Sequence, residues 1–145
     1  MSTNITTTAT TAATGTASSV PTLGSLLRGG AAATVLAAAA TTAVALAGQT
    51  AGISLDIAGA PIPQSGFATL TVIFSAIGLL IAVSLRRFAR HPRTAWIRTT
   101  MALTALSLVP DVLVDAAPTT KMLLMATHLV AAAIVIPTVA RRLHA

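Results

Sequence analysis

Two ionisable side chains, Asp111 and His128, lie inside long apolar runs of the sequence. At 1.5 Å per residue, Asp111 is about 22 Å from Trp96 and His128 about 20 Å from Arg141. Trp96, which is expected to anchor its helix at the lipid headgroups, and Arg141 mark the same end of the predicted helices. Asp111 and His128 are therefore expected at one depth, in the outer half of a membrane. An intramembrane acid and base can bind a proton, a cation or the head of a lipophilic amine.

A purely structural role fits the same residues. Pro110 cannot donate a backbone hydrogen bond and clashes with the carbonyl of Leu106, so Asp111, assisted by Ser107, can satisfy the backbone group freed there. An Asp111–His128 contact can also hold two helices together, at an average of about 0.6 kcal/mol per interhelical hydrogen bond. We therefore keep both interpretations open.

Small and polar residues recur at helical spacing around this region. Four of them share one face of the third run, and four share one face of the second, at spacings of 4, 3 and 4. Gln49 is expected near the outer rim of the same region. The two stripes, predicted to face each other or the bundle interior, are Thr100, Thr104, Ser107 and Asp111, and Thr71, Ser75, Gly78 and Ala82.

Other kinds of chemistry are poorly supported by the sequence. The chain has no cysteine, which excludes disulfides, Fe–S ligation and cysteine nucleophiles. No two histidines have metal-ligand spacing, and no nucleophile with its base or phosphate-cradling loop is recognisable. The sequence thus predicts no catalytic residue, no metal site and no cofactor.

Composition predicts a membrane protein. Of the 145 residues, 54% are apolar and only 8% are charged, against about 25% charged in soluble proteins. The net charge of +6 does not indicate nucleic-acid binding, because the basic residues sit at the ends of apolar runs and aromatic residues are few.

Four apolar runs predict an all-α membrane protein, a four-transmembrane-helix bundle with a disordered N-terminal tail. The predicted spans are about 30–51, 66–85, 96–116 and 119–140, each near the 20 residues needed to cross a bilayer. Pro118 is expected to end the third span. Residues 1–25 form the predicted cytoplasmic tail, since residues 2–22 hold twelve Ser or Thr and no charge. Residues 26–145 form the transmembrane domain.

The first run is alanine-rich, and small residues let membrane helices approach closely. We therefore expect this helix to pack against its neighbours. An alternative is a signal peptide cleaved after Ala47, within Ala45-Leu46-Ala47. The long leader carrying only Arg28 as a positive charge is unusual for such a peptide, which favours retention.

Basic residues predict the orientation. Eight arginines fall on one side of a four-span topology and only Lys121 on the other, which places both termini in the cytoplasm. The same side chains are expected to contact anionic lipid headgroups. The arginines are Arg28, Arg86, Arg87, Arg90, Arg93, Arg98, Arg141 and Arg142.

The order of several short motifs resembles a known family. They are Pro61-Ile62-Pro63 before Gly66-Phe67-Ala68, His91-Pro92-Arg93, Leu106 to Pro110, His128 to Ala132, Ile136-Pro137 and Arg141-Arg142-Leu143. From about Leu26 onwards the chain resembles a family of uncharacterised actinobacterial membrane proteins, known only as a domain of unknown function. The resemblance implies a four-helix architecture in a bacterial plasma membrane and implies no activity.

Three functional hypotheses remain. The first is a non-enzymatic integral membrane protein, an accessory subunit or self-associating bundle whose partners are the lipid bilayer and either its own copies or another membrane protein, with no nucleic acid. The alternative is a small carrier or sensor for a proton, cation or lipophilic amine using Asp111 and His128. An enzyme acting on lipid or quinone comes third. A cavity around the Asp111–His128 pair would favour the second hypothesis, and tight packing the first.

Overall fold

Four helices and one small hairpin make up the described part of the chain. The computed structural model describes residues 22–144. Short connections join the helices, so that each runs antiparallel to the one before it. In chain order the elements are α1 (Leu23–Thr50), β1 (Asp56–Ile57), β2 (Ala60–Pro61), α2 (Gln64–Phe88), α3 (Pro92–Leu113) and α4 (Pro118–Ala140).

The helices form a ring in which α1 packs against α2 and α4. Helix α3 packs against α4 and, least extensively of the four neighbouring pairs, against α2. Helices α1 and α3 therefore occupy diagonal corners of the bundle. The most extensive helix contact, between α1 and α4, lies on the opposite side of the ring from the α2–α3 contact.

Three helices, α1, α2 and α4, are long and apolar enough to cross a membrane. This indicates a multi-pass membrane protein. Helix α3 has the length but is less apolar, because it carries Arg93, Arg98 and Asp111 together with several hydroxyl side chains.

Helix α1 begins earlier than the sequence predicts. The Thr22 hydroxyl caps it by accepting a hydrogen bond from the backbone N–H of Ser25 at 3.1 Å, and a threonine in this position stabilises a helix start. The predicted tail, residues 1–25, lies mostly outside the described residues. Its last three residues are helical, which corrects the boundary.

Small residues bring α1 close to its neighbours, as expected. A Cβ added to Gly30 would lie 2.6 Å from a methyl group of Leu79 on α2, and one added to Gly48 would meet Leu123 on α4. Ala45 is completely buried in the bundle. Cleavage after Ala47 would remove the Gly30 contact and the buried Ala45 but would leave the Gly48 contact.

The connection between α1 and α2, predicted as a loop, contains an antiparallel β-hairpin. Ala58 and Gly59 form its turn with φ of 50° and 78°, as a two-residue type I′ turn requires. The Ala58 N–H donates to the carbonyl of Asp115 at 2.8 Å, and the Thr120 hydroxyl donates to the carbonyl of Ser54. The hairpin is therefore fixed beside the α3–α4 connection. We call this end of the bundle the outer end and the end at the α2–α3 connection the inner end.

The third predicted span, about 96–116, extends past the end of its helix. Helix α3 begins at Pro92 and ends at Leu113, and Val114 is extended. Pro118 does not end this helix; it begins α4. Both prolines occupy the first turn of a helix, where a missing N–H costs no hydrogen bond.

Two small hydrophobic clusters fill the ends of the bundle and leave the space between them less well packed. The inner cluster joins Leu26, Ala82, Trp96, Val139, Ala140 and Leu143, and the outer one joins Ala45, Leu55, Phe67 and Leu124. Trp96, expected to anchor at the lipid headgroups, is instead 1% exposed and donates its Nε1–H to the carbonyl of Ile136 at 3.0 Å. Inside the bundle its indole finds a partner on α4.

Candidate functional site

A cavity of about 750 Å³ lies between α2, α3 and α4. Its volume falls within the range of about 300–1,000 Å³ that is usual for small-molecule sites. Trp96 lines the inner end, and Ile57 and Ile62 of the hairpin line the outer end together with Phe67. Most of its wall is apolar, and the polar groups come from a few positions.

The two polar stripes meet across this cavity. All four members of the α3 stripe line it, as do Thr71, Ser75 and Gly78 of the α2 stripe. Ala82, the fourth position on α2, is instead buried in the inner cluster against Trp96. The prediction that the stripes face each other or the bundle interior is therefore confirmed, with one position displaced into the core.

Three hydroxyl groups on the α3 and α4 walls present oxygen atoms rather than hydrogens to the cavity. Each donates to a backbone carbonyl of its own helix, which uses the only hydrogen that the hydroxyl has. Their remaining lone pairs can accept hydrogen bonds from a ligand. The three bonds join Thr100 to Trp96 (2.7 Å), Ser107 to Thr104 (2.8 Å) and Thr127 to Leu124 (2.7 Å).

Asp111 and His128 meet at the cavity wall. The Asp111 Oδ2 and His128 Nδ1 atoms are 2.8 Å apart, and Nδ1 is also 3.1 Å from the carbonyl oxygen of Leu124. The direction of a ring N–H fits the Leu124 carbonyl better, so Asp111 and His128 are in close contact without an aligned hydrogen bond. Asp111 Oδ2 is buried and accepts no well-aligned hydrogen bond from residues 22–144.

Burial makes this carboxylate an unusual feature. The Asp111 residue is 8% exposed, whereas 37% of the His128 side chain is accessible. Pro110, beside Asp111 on the wall, has no N–H to give the carbonyl of Leu106, which is a further acceptor at this level. A buried oxygen without an aligned donor is costly, and a ligand with N–H groups would satisfy it.

His128 lies near the middle of α4, about 15 Å from its start at Pro118 and about 18 Å from its end at Ala140. Asp111 lies only about 3 Å before the end of α3. Because the two side chains are in contact, the last residue of α3 lies closer to the middle of the bundle than the first residue of α4 does. Residues 114–117 connect the two levels.

Two other predicted site residues do not join the pair. Ser107 lines the cavity, but its hydroxyl bonds to Thr104 and does not assist Asp111. Gln49 is exposed at the outer end of α1, where its side-chain oxygen accepts a hydrogen bond from the amide of Gln64. Gln49 belongs to the contact between α1 and α2 rather than to the cavity.

The arginines expected to set the orientation lie at one end of the bundle. Arg28 is in the first turns of α1, Arg86 and Arg87 are in the last turn of α2, and the others flank the α2–α3 connection or follow α4. Lys121 lies at the opposite end and donates to the carbonyl of Val112 at 3.0 Å. In the folded bundle the arginines are therefore concentrated at one end and Lys121 lies at the other.

Sequence reasoning missed three positions of the site. Thr41 of α1 reaches the cavity and its hydroxyl lies 3.1 Å from that of Thr71. Thr127, beside His128, is buried in the wall. The four-residue spacing of Thr127 and Ala131 offered a weak signal for one lining face of α4, whereas nothing in the sequence marked Trp96 as a cavity residue.

The cavity suits a positively charged or hydrogen-donating group within an apolar molecule. No group of three or more His, Cys, Asp or Glu side chains converges anywhere in residues 22–144. One carboxylate, several acceptor oxygens and a largely apolar wall are the means of recognition that the site offers.

Searches of curated proteins and of solved structures found no match to this chain. The model of a family of unknown function, DUF6069, matches residues 21–145, which include every helix and the whole cavity. The resemblance seen in the sequence motifs is therefore confirmed at the level of the family. The chain belongs to the DUF6069 family.

Proposed function

We propose that the protein is a small integral membrane carrier or sensor that binds a lipophilic amine between its helices. The observation that carries the proposal is the buried Asp111 carboxylate, which faces an apolar cavity of about 750 Å³ without an aligned hydrogen bond. A protonated amine supplies both the positive charge and the N–H donors that this oxygen lacks.

The wall favours an amine over a metal ion or a bare proton. Hard cations require six or more oxygen ligands at fixed distances, and the site has one carboxylate. A proton needs no large apolar space. An alkylammonium ion places its charge against Asp111 and the hydroxyl oxygens while its hydrocarbon part occupies the rest of the cavity.

The hypothesis of a self-associating bundle loses one of the features that motivated it, the alanine-rich first helix. The small residues of α1 are used within the chain, where Gly30 meets Leu79 and Gly48 meets Leu123. A catalytic role is also less favoured. The Ser107 hydroxyl donates to Thr104 rather than to His128, so these residues do not form a nucleophile–base relay.

The proposal includes a fourth span and an orientation. Helix α3 lines the cavity and packs against α4, so we place it in the bilayer, with Arg98 reaching the headgroups. Both termini and the arginine-rich end face the cytoplasm across a bacterial plasma membrane. Because the chain has no cysteine, Arg90→Cys and Ala60→Cys can each be labelled alone. A membrane-impermeant maleimide added to whole cells should label only the Ala60 variant, and the opposite pattern would reverse the orientation.

The single tryptophan provides a direct test of binding. Trp96 lines the cavity and is shielded from the surroundings. In proteoliposomes, a dodecylamine with a nitroxide on its tail should quench Trp96 fluorescence in a saturable manner. The matching nitroxide-labelled dodecanol should quench weakly and without saturation, since it lacks the charge.

Asp111→Asn should raise the half-saturating amine concentration about tenfold to a hundredfold, as expected when a charged hydrogen bond worth about 1.5–3 kcal/mol is lost. Asp115→Asn is the matched control, because Asp115 is an exposed carboxylate outside the cavity. Equal amine binding by both variants and the parent protein would refute the assignment of the site.

A further inference from the structure

The cavity opens to the side of the bundle. Only six of its lining residues are exposed, and all six lie on α2 or α3. The lining residues of α1, α4 and the hairpin are buried or partly buried. The exposed ones are Leu70, Phe74 and Ile77 of α2 and Leu103, Leu106 and Pro110 of α3.

These six residues, which we call the seam, follow the weakest helix contact of the ring. Helices α2 and α3 touch less than any other neighbouring pair. The side chains along the seam are all apolar, and in a multi-pass membrane protein an exposed apolar surface on two spanning helices faces hydrocarbon. The opening is therefore directed at lipid chains rather than at water.

The outer end of the cavity is covered. Ile57 and Ile62 of the hairpin line it, and the hairpin is held by the hydrogen bond from Ala58 to Asp115 and by that from Thr120 to Ser54. The inner end is filled by the cluster around Trp96. Among the described residues, the seam is thus the least obstructed way into the cavity.

We propose that the ligand is a single-chain aliphatic amine dissolved in the membrane and that it enters laterally through the seam. This inference rests on the proposed function and names its ligand class and route. The cavity extends from Asp111 to Trp96, about 22 Å along α3, which suits an extended chain with its ammonium group at the carboxylate. The apolar seam lets the tail pass between α2 and α3 without leaving hydrocarbon.

The absence of cysteine allows the seam to be closed chemically. Phe74 and Leu106 each lie about 21 Å along their helix from the short α2–α3 connection, so they border the seam at one level. The double variant Phe74→Cys/Leu106→Cys, bridged by a disulfide-containing bismaleimide, should slow Trp96 quenching by the nitroxide-labelled dodecylamine at least tenfold in stopped-flow measurements on proteoliposomes. Reduction of the bridge should restore the rate in the same sample, which separates a closed seam from a misfolded protein.

A second bridge tests the competing route through the outer end. The double variant Ala58→Cys/Asp115→Cys, bridged in the same way, fixes the hairpin to the connection between α3 and α4. It should leave the rate of quenching unchanged. Slow quenching with the hairpin bridged and fast quenching with the seam bridged would overturn lateral access.

The two proposals fail in different ways. If the amine does not quench Trp96 in an Asp111-dependent manner even in the unbridged protein, the proposed function fails. If Asp111-dependent binding is present but the bridged seam binds as fast as the reduced one, lateral access fails and the amine site stands. Unlabelled ethylamine should displace the nitroxide-labelled dodecylamine only at a concentration at least tenfold higher than unlabelled dodecylamine needs, and equal displacement by the two amines would refute the choice of a membrane-dissolved chain.

Discussion

The close contact between Gly30 of α1 and Leu79 of α2 makes a quantitative prediction about stability. A Cβ at residue 30 would lie 2.6 and 3.1 Å from the two methyl groups of Leu79, closer than carbon atoms approach without displacement. Forcing an extra methyl group into packed structure costs about 1–3 kcal/mol. Alanine is favoured over glycine in a helix by up to about 1 kcal/mol, which offsets part of this cost. Gly30→Ala should therefore destabilise the bundle by about 1 kcal/mol.

Gly24→Ala is the matched control, because a Cβ at residue 24 meets nothing closer than the Thr22 hydroxyl at 3.9 Å. This variant should be as stable as the parent protein or slightly more so. The difference in the free energy of unfolding between Gly30→Ala and Gly24→Ala should then be about 1–3 kcal/mol, which is the cost of the contact alone. Unfolding by sodium dodecyl sulfate in mixed micelles, followed by circular dichroism, measures it.

A double-mutant cycle identifies the source of the effect. Leu79→Ala removes the methyl groups that the new Cβ would meet, so Gly30→Ala should cost nothing in that background and the coupling energy should be about 1–3 kcal/mol. If Gly30→Ala is as stable as Gly24→Ala, or if Leu79→Ala does not change its effect, α1 and α2 do not approach as described.

Three further predictions concern other parts of the chain. Trp96→Phe removes the hydrogen bond to the Ile136 carbonyl and should lower the free energy of unfolding by about 1 kcal/mol in the same mixed-micelle assay; an unchanged value would show that the indole N–H has no partner on α4. Ala58→Gly relieves a left-handed φ of 50° and should slow hydrogen exchange of the hairpin amides about fivefold, for about 1 kcal/mol, whereas Gly59→Ala should accelerate it; the reverse order would exclude a type I′ turn. Intact-mass measurement of protein purified from membranes should show a chain that extends N-terminally past Ala47, and a chain beginning at Gly48 would establish cleavage of α1.

The sequence was sufficient to predict the positions of most helices and of the central pair. Counting residues from the arginine-rich end placed Asp111 and His128 at one level because helical rise is constant, and the structure brings them into contact. The polar stripes were predicted for the same reason. These properties depend only on distance along a helix and on the direction of side chains around it.

Other features depend on how far the helices stand apart, which helical periodicity does not encode. The cavity exists because side chains of α2 and α3 fail to fill the space in front of Asp111 and Thr104, and residue spacing gives no volume. Trp96 was expected at the headgroups because tryptophan prefers that position. In the structure the indole is buried in the bundle instead, where its N–H donates to the carbonyl of Ile136. Pro118 could equally end one helix or begin the next, and only the packed structure distinguishes these roles.

The uneven attachment of α3 bears on how the protein is synthesised. Helix α3 is the least apolar of the four, and its firmest partner, α4, follows it in the chain. A segment that carries Arg98 and Asp111 gains little by moving alone from the translocon into lipid, since each charge opposes insertion. In the proposed four-span topology, α3 would therefore enter the bilayer together with α4, as a helical hairpin in which His128 faces Asp111. The helix pair α1 and α2, synthesised first, would lie in the bilayer before this hairpin inserts, and the cavity would form only at that last step.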